Sequence, residues 1–420
     1  MGNKRYRVLA VLWLVSLFSF LDRQVLAVLL EPIKAEFGLS DTQLGLLGGV
    51  AFGSFYAVFG LPIARLVDRF NRRNLLALSI FLWSGMTALC GAVGSFAGLF
   101  AARAGVAIGE AGGSPSTASL LSDYFAPRER ARAFAVLTMA IPVSIMTGYI
   151  LGGLLNDLYG WRMAFVAIGL PGVLVALLVL AVVREPVRGA SENMADSGAI
   201  GLRDALGRLW SRRAYRHVAL GGALCSMGTW GSGVWLPSFF VRVHGFTIGE
   251  AGTAVGLVFG LGGIVGTLGG GFLADWLATR TGDDRWYVRV PLIALAGAVP
   301  LAFGAFLAGQ ATTALILLAC MVTLMHGYGG PHAALLQSLA EPRLRGLSVS
   351  VYNFVNNLVA MGIGPLFVGA ISDIYGVSEG PAALRYAILA IVVIAYGGGA
   401  ILLQLAQRHV RSDILTARAG

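Results

Sequence analysis

Charge is what this sequence has least of. Asp, Glu, Lys and Arg make up 12% of its 420 residues and apolar types 57%, whereas a soluble domain carries about 25% charged residues. So few charges cannot cover a surface that faces water, and lipid must face much of the chain. Cysteine is equally scarce. Cys90, Cys225 and Cys320 each lie inside an apolar run with no CxxC pair, which excludes a disulfide framework or a cysteine metal site and leaves small hydrophobes in helix packing. No Walker loop and no HExxH occurs, and no stretch is long enough for a nucleotide-binding domain, so an ATP-driven pump is excluded and neither cofactor nor metal is expected. The absence of any N-x-[ST] sequon favours a non-glycosylating host. The formal charge of +10 would suit nucleic acid, but the charges sit in short clusters between apolar runs and form no basic face.

What is abundant is glycine, at 58 residues, and long apolar runs. Glycine lets helix backbones approach closely in a bilayer, where a crossing needs about 20 apolar residues. Twelve runs qualify: 8–30, 42–66, 75–96, 98–122, 132–155, 163–183, 215–240, 251–277, 288–308, 312–338, 347–371 and 384–405. The fold class is therefore an all-α membrane protein of twelve transmembrane helices. The basic start, Met1 to Arg7, precedes the first run without a small-residue cleavage site, so that run reads as a span and not as a removed signal peptide. With the N-terminus in the cytoplasm, 25 Lys and Arg fall in inside segments and 4 outside (Lys34, Arg162, Arg242 and Arg385). That positive-inside bias predicts a multi-pass protein of the cell's inner membrane with both termini cytoplasmic.

One long loop, 184–214, sits at the midpoint. It begins polar, from Gly189 to Ser197. Leu202, Leu206, Leu209 and Trp210 then recur at helical spacing against Arg203, Arg208, Arg212 and Arg213, as in an amphipathic helix on the inner leaflet; an ordinary solvated linker is the other reading. The chain thus divides into 1–183, the linker 184–214, and 215–420, and the outer two segments repeat each other. Gly153, Asp157, Tyr159 and Gly160 are echoed by Gly369, Asp373, Tyr375 and Gly376, each 216 residues on. Leu120-Leu121 precedes Pro127-Arg128-Glu129-Arg130 as Leu335-Leu336 precedes Pro342-Arg343-Leu344-Arg345. Two pseudo-symmetric six-helix bundles are a transporter architecture, with the solute held near the midplane.

The loop after the second run reads Ala64-Arg65-Leu66-Val67-Asp68-Arg69-Phe70-Asn71-Arg72-Arg73. It resembles the G-x-x-x-D-R-x-G-R-R signature of the major facilitator superfamily, with two glycines replaced by Ala64 and Asn71. The resemblance implies a cytoplasmic gate of Asp68, Arg69, Arg72 and Arg73, with Asp275 at the matching end of the eighth run; positive-inside anchoring is the alternative for the arginines. Phe20-Leu21-Asp22-Arg23, then Arg103 through Gly109-Glu110-Ala111, and Gly160-Trp161-Arg162 further resemble Spinster-like proteins. That resemblance implies a sphingosine-1-phosphate or lysophospholipid class of solute. The antiporter pattern G-P-x-x-G-G is altered here, Gly148 being followed by Tyr149 before Gly152-Gly153, and leaves the direction of transport open.

Charges inside spans are costly and mark function. Asp22, Arg23, Arg103 and Glu110 all lie in the first half. At about 1.5 Å per residue Asp22 sits roughly 20 Å into its helix, near the level of Arg103, and Glu110 lies two turns from Arg103 on the same face. Arg103 can then alternate between Asp22 and Glu110, and a carboxylate left without a cation in a poorly hydrated site takes up a proton. Proton coupling through Asp22, Glu110 and Arg103 is the resulting expectation; a fixed ion network is the alternative. Arg23, Met139, Met146, Tyr149, Trp230, Trp235, His326 and His332 are candidates for a solute cavity, with plain packing as the competing reading for the apolar ones. The expected partners are a small amphipathic or anionic solute, protons and the bilayer, for a monomer with no catalytic group. A drug or organic-anion permease is the second reading. A lipid-modifying intramembrane enzyme, with Asp22 and Glu110 as its acid pair, is the reading from another class.

Overall fold

The computed structural model describes residues 2–187 and 202–419, and no strand occurs among them. Eight helical runs are by themselves long and apolar enough to cross a membrane. Two of them, Pro127–Val182 and Arg345–Gln407, are 56 and 63 residues long, more than twice what one crossing needs. Gly160 divides the first. Its φ of 79° and ψ of 164° fall where a side chain would clash with its own backbone, so only glycine turns the chain there without strain. Gly380, at φ 58°, ends the helix Gly364–Glu379 and divides the second. With the helical stretches 96–124 and 213–244 the spans number twelve: Gly2–Val28, Asp41–Arg69, Arg72–Cys90, 96–124, 127–160, 161–182, Arg213–His244, Ile248–Thr281, Trp286–Leu307, Ala311–Ser338, 345–379 and Ala383–Gln407.

The starts of the second and eighth spans show how sequence sets these boundaries. Ser40 accepts from the Gln43 amide while Gln43 returns a bond to the Ser40 amide. Thr247 and Glu250 make the same reciprocal pair. Each box satisfies two amides that the first helical turn leaves unpaired.

The chain packs as two compact units, Met1–Asp196 with Leu236–Val241 and Gly245–Gly256, and Ser197–Trp235 with Arg242–His244 and Leu257–Gly420. In the first unit the first span packs along the fifth, the third along the sixth, and the second along the fourth. Gly249, in the first turn of the eighth span, donates its amide to Asp157 at 2.9 Å within this unit. In the second unit the ninth span packs against the tenth and twelfth, and the eleventh against the twelfth. Within the expected linker, a helix at Leu202–Ser211 buries Ala205 and Leu209 and exposes Leu206 and Trp210. The polar stretch from Gly189 to Ser197 lies outside the described residues.

Candidate functional site

The fourth span is interrupted at the residue that matters most in it. Its first helix, Phe96–Glu110, stops at Glu110, two turn residues follow, and a second helix runs Gly113–Tyr124. Ala111-Gly112-Gly113 supplies the break, since glycine is the weakest helix former after proline. Glu110 is 1% exposed, and its Oε1 receives two bonds from Arg23, Nη2 at 2.5 Å and Nε at 2.7 Å, with the Ser19 hydroxyl donating to the same oxygen. The Arg23 guanidinium stands 4.7 Å from the ring centres of Phe20 and Phe52 and 5.1 Å from that of Tyr56. Aromatic faces stabilise a cation whose water has been removed.

Arg103 lies over the other side of this cluster, 5.5 Å from the centre of Phe52. Its Nη1 donates to the backbone carbonyl of Asp22 at 3.2 Å. The Asp22 carboxylate is fully buried, beside the Thr87 hydroxyl and the Arg103 charge. The four intramembrane charges of the first half therefore come together, but with different partners from those expected. The cation on Glu110 is Arg23. Arg103, expected to serve the two carboxylates, bonds a carbonyl instead. The reason is rotational: depth along the helices brings Arg103 to the level of Asp22, while the turn of the first span carries Arg23 to Glu110.

A second ionic cluster closes the end of this unit that carries the N-terminus. Arg72 is 2% exposed and donates to Glu185 at 2.7 Å, Asp123 at 2.5 Å, the Ser119 hydroxyl at 2.9 Å and the Pro186 carbonyl at 3.0 Å. The Arg73 amide adds a bond to Glu185. Of the expected gate residues, Arg72 is thus a buried junction of the third, fourth and sixth spans. Asp68 and Arg69 are exposed at the end of the second. Asp275 accepts from the Tyr287 hydroxyl at 2.8 Å in the second unit. Asp123 and Glu185 were not singled out in the sequence; their acidity beside arginine-rich span ends is the signal that points to them.

The candidates for a cavity fall four in each unit: Arg23, Met139, Met146 and Tyr149 in the first, Trp230, Trp235, His326 and His332 in the second. Trp235 is fully buried and its indole donates to the Pro365 carbonyl at 3.0 Å. Tyr149 is buried, Met146 and Trp230 are half-buried, and Met139 is exposed. His326 holds the Val322 carbonyl at 2.9 Å and meets Phe259 edge-on. His332 is buried beside Tyr352 and Tyr328, at 4.9 and 5.8 Å between ring centres, with its Nε2 unpaired. Tyr328 in turn shares a 2.7 Å hydrogen bond with Ser226.

Such a frame, twelve spans with a charged cluster on the first and fourth, defines a solute transporter. The chain belongs to the Major Facilitator Superfamily, whose model matches residues 12–365, and within it resembles the Spinster-like proteins. It is 34% identical over 415 residues to an MFS-type efflux pump of Mycolicibacterium smegmatis, covering 98% of this chain and 95% of that one. It is 28% identical to the sphingosine-1-phosphate transporter SPNS2 of Xenopus tropicalis, over 86% and 72% of the two chains. Among solved structures it is similar to a bacterial homolog of the human lysosomal transporter Spinster in an inward-facing and unoccupied conformation, with a TM-score of 0.88, 29% identity, and coverage of 98% and 99%. The protein is a multi-pass membrane transporter and not an enzyme, which removes the lipid-modifying reading.

Proposed function

We propose that this protein is a proton-coupled secondary transporter working by alternating access, and that it moves an amphipathic, lysolipid- or sphingoid-like anion. The observation that carries the reading is the buried Arg23–Glu110 pair inside an aromatic box, with the fully buried carboxylate of Asp22 one residue away on the same helix. A proton on Glu110 cancels its charge and frees the Arg23 guanidinium, which the rings of Phe20, Phe52 and Tyr56 keep in place for an anionic head group. Loss of the solute returns Arg23 to Glu110 and expels the proton. Arg103 then has a positioning role, neutralising Asp22 while its own hydrogen bond fixes the first span. The moving bodies are 1–183 and 215–420, joined by 184–214, with both termini in the cytoplasm and the protein acting as a monomer in the inner membrane. The sphingosine-1-phosphate named for one relative supports the amphipathic class; the efflux pump named for another supports export, and a drug or organic-anion permease is the second reading.

The test is uptake of labelled sphingosine 1-phosphate and lysophosphatidylcholine into liposomes with an imposed pH gradient. Glu110→Gln mimics permanent protonation, so it should still exchange solute across equal pH but ignore the gradient. Arg23→Ala should lose both. A Glu110→Gln, Asp22→Asn double variant that keeps full gradient-driven uptake would show that these residues are a structural ion network.

A further inference from the structure

Ser19 does two things at once. Its hydroxyl donates to Glu110, and the same residue lines a cavity of about 250 Å³ between the first, third, fourth and fifth spans. The wall carries four more hydroxyls, from Ser16, Ser114, Thr117 and Thr138, among apolar side chains. Ser114 and Thr138 are exposed at its mouth and Thr117 is buried. Trp83, fully buried, also lines it, and its indole N–H has no partner among the described residues. An unpaired buried donor beside hydroxyls in a space of this size is where ordered water is found. The cavity lies on one side of Glu110 only. The fourth span runs from Glu110 through Gly113 and Thr117 toward the membrane face that bears the N-terminus, and the fifth contributes its first turns from that face. Asp22, past Glu110 on the first span, is sealed.

Resting on the coupling proposed for Glu110, we infer that this cavity is a water-filled vestibule through which protons reach Glu110 from the N-terminal face, with Ser19 as the last relay. The transfer balances without any other reactant. A hydrated proton from the vestibule binds the Ser19 Oγ as the hydroxyl passes its own proton to Glu110 Oε1. Serine is left neutral and unchanged, and the glutamate becomes the neutral acid; only O–H bonds are made and broken. The titratable and charged groups around Glu110 are Arg23 and Asp22 from the first span, Tyr56 from the second, Cys90 from the third and Arg103 from its own helix. Ser19 is the hydroxyl that joins the cavity to this group. It is a positioning and relay residue, distinct in role from the acid itself.

Two measurements on the full-length protein test this. In a Cys320→Ser background, which removes the exposed native thiol, Thr117→Cys should react with a charged, membrane-impermeant methanethiosulfonate added on the N-terminal face, as Thr138→Cys at the mouth should. Infrared difference spectroscopy after a downward pH jump should show a protonated-carboxyl band that Glu110→Gln abolishes. Ser19→Ala should slow the rise of that band by about tenfold or more, and Ser19→Thr should restore the rate. If Ser19→Ala does not fold, Thr117→Val takes its place in the same comparison. An inert Thr117→Cys beside a reactive Thr138→Cys, or a Ser19→Ala rate equal to wild type, overturns the vestibule while leaving the coupling at Glu110 standing. A wild-type protein with no band sensitive to Glu110→Gln overturns both.

Discussion

Replacing Arg72 by alanine removes one guanidinium and strands four partners. Asp123, whose side chain is 9% exposed, loses its 2.5 Å ion pair; Glu185 loses a 2.7 Å contact; the Ser119 hydroxyl and the Pro186 carbonyl lose donors. Breaking a fully buried pair by deleting one member costs about 3–5 kcal/mol, because the surviving charge keeps its desolvation penalty. Glu185 is 24% exposed and recovers water, so the expected loss is smaller, about 2–3 kcal/mol. The assay is reversible unfolding in mixed micelles with increasing dodecyl sulfate, followed by tryptophan fluorescence. Arg72→Lys keeps the charge but not the fork that reaches Glu185 and Asp123 together, and should fall between wild type and alanine. The double variant Arg72→Ala, Asp123→Ala should be more stable than Arg72→Ala with Asp123 intact, since the orphaned carboxylate is gone. A loss within about 0.5 kcal/mol, the range of an ordinary surface change, or strictly additive single effects, would refute the view of Arg72 as a buried junction.

Glu36 is the pH-sensitive contact on the opposite face: the Trp161 indole N–H and the Arg162 guanidinium, at 2.7 and 2.5 Å, hold its carboxyl below the usual range. A lowered folded value means the contact stabilises above the ordinary glutamate range and is lost as pH falls through the lowered value, so Glu36→Gln should reduce the melting temperature at neutral pH and match wild type in strong acid; a gap that does not change with pH counts against it. At Gly169 a methyl group would stand 2.6 Å from the Ala88 amide nitrogen and 2.8 Å from the Ser84 carbonyl, both rigid backbone. Gly169→Ala should therefore cost about 1–3 kcal/mol in the same micelle titration, and an unchanged midpoint would mean that the third and sixth spans are less closely packed. For topology, Ala35→Cys should label from outside intact cells and Ser211→Cys should not; the reverse pattern would invert the orientation read from the arginines.

The spans were legible because a bilayer demands long apolar runs whatever surrounds them. Gly160 was visible as part of a repeat, but its role as the hinge dividing a 56-residue helix was not, since that depends on a φ of 79° that the sequence does not encode in its neighbours. The Gly160-Trp161-Arg162 stretch was recognisable as a motif without its reason. The structure supplies one: Trp161 and Arg162 together fasten the carboxylate of Glu36, and Arg162 also donates to the Val93 carbonyl at 2.6 Å. Arg72 and Arg73 looked interchangeable as neighbouring cations. They differ because the helix starting at Arg72 turns one side chain inward onto Asp123 and leaves the other against Asn74 at the surface.

The pairing of Arg23 with Glu110 was the harder case, and it shows what a repeat adds to a periodicity argument. Helical spacing alone fixes how far into the membrane a residue lies and which of its own neighbours share its face; it says nothing of which face a neighbouring helix presents. Glu110 and His326 are separated by the same 216 residues as Gly153 and Gly369. Each is the last residue of the first helix in its span, Phe96–Glu110 in the fourth and Ala311–His326 in the tenth. Ser19 and Ser226 stand 207 residues apart, as do the helix-capping pairs Ser40–Gln43 and Thr247–Glu250. Each of the two serines bonds a polar group of the interrupted span in its own unit, Glu110 in one and Tyr328 in the other. The architecture of a hydroxyl on the first helix of a bundle facing a break in the fourth is thus built twice, but the charges are built once. In the first unit the break holds the Arg23–Glu110 ion pair. In the second it holds Tyr328, with His326 and His332 on either side of it. Under the coupling proposed above, one responsive half is enough, and the buried charges such a response requires lie in the half with Glu110.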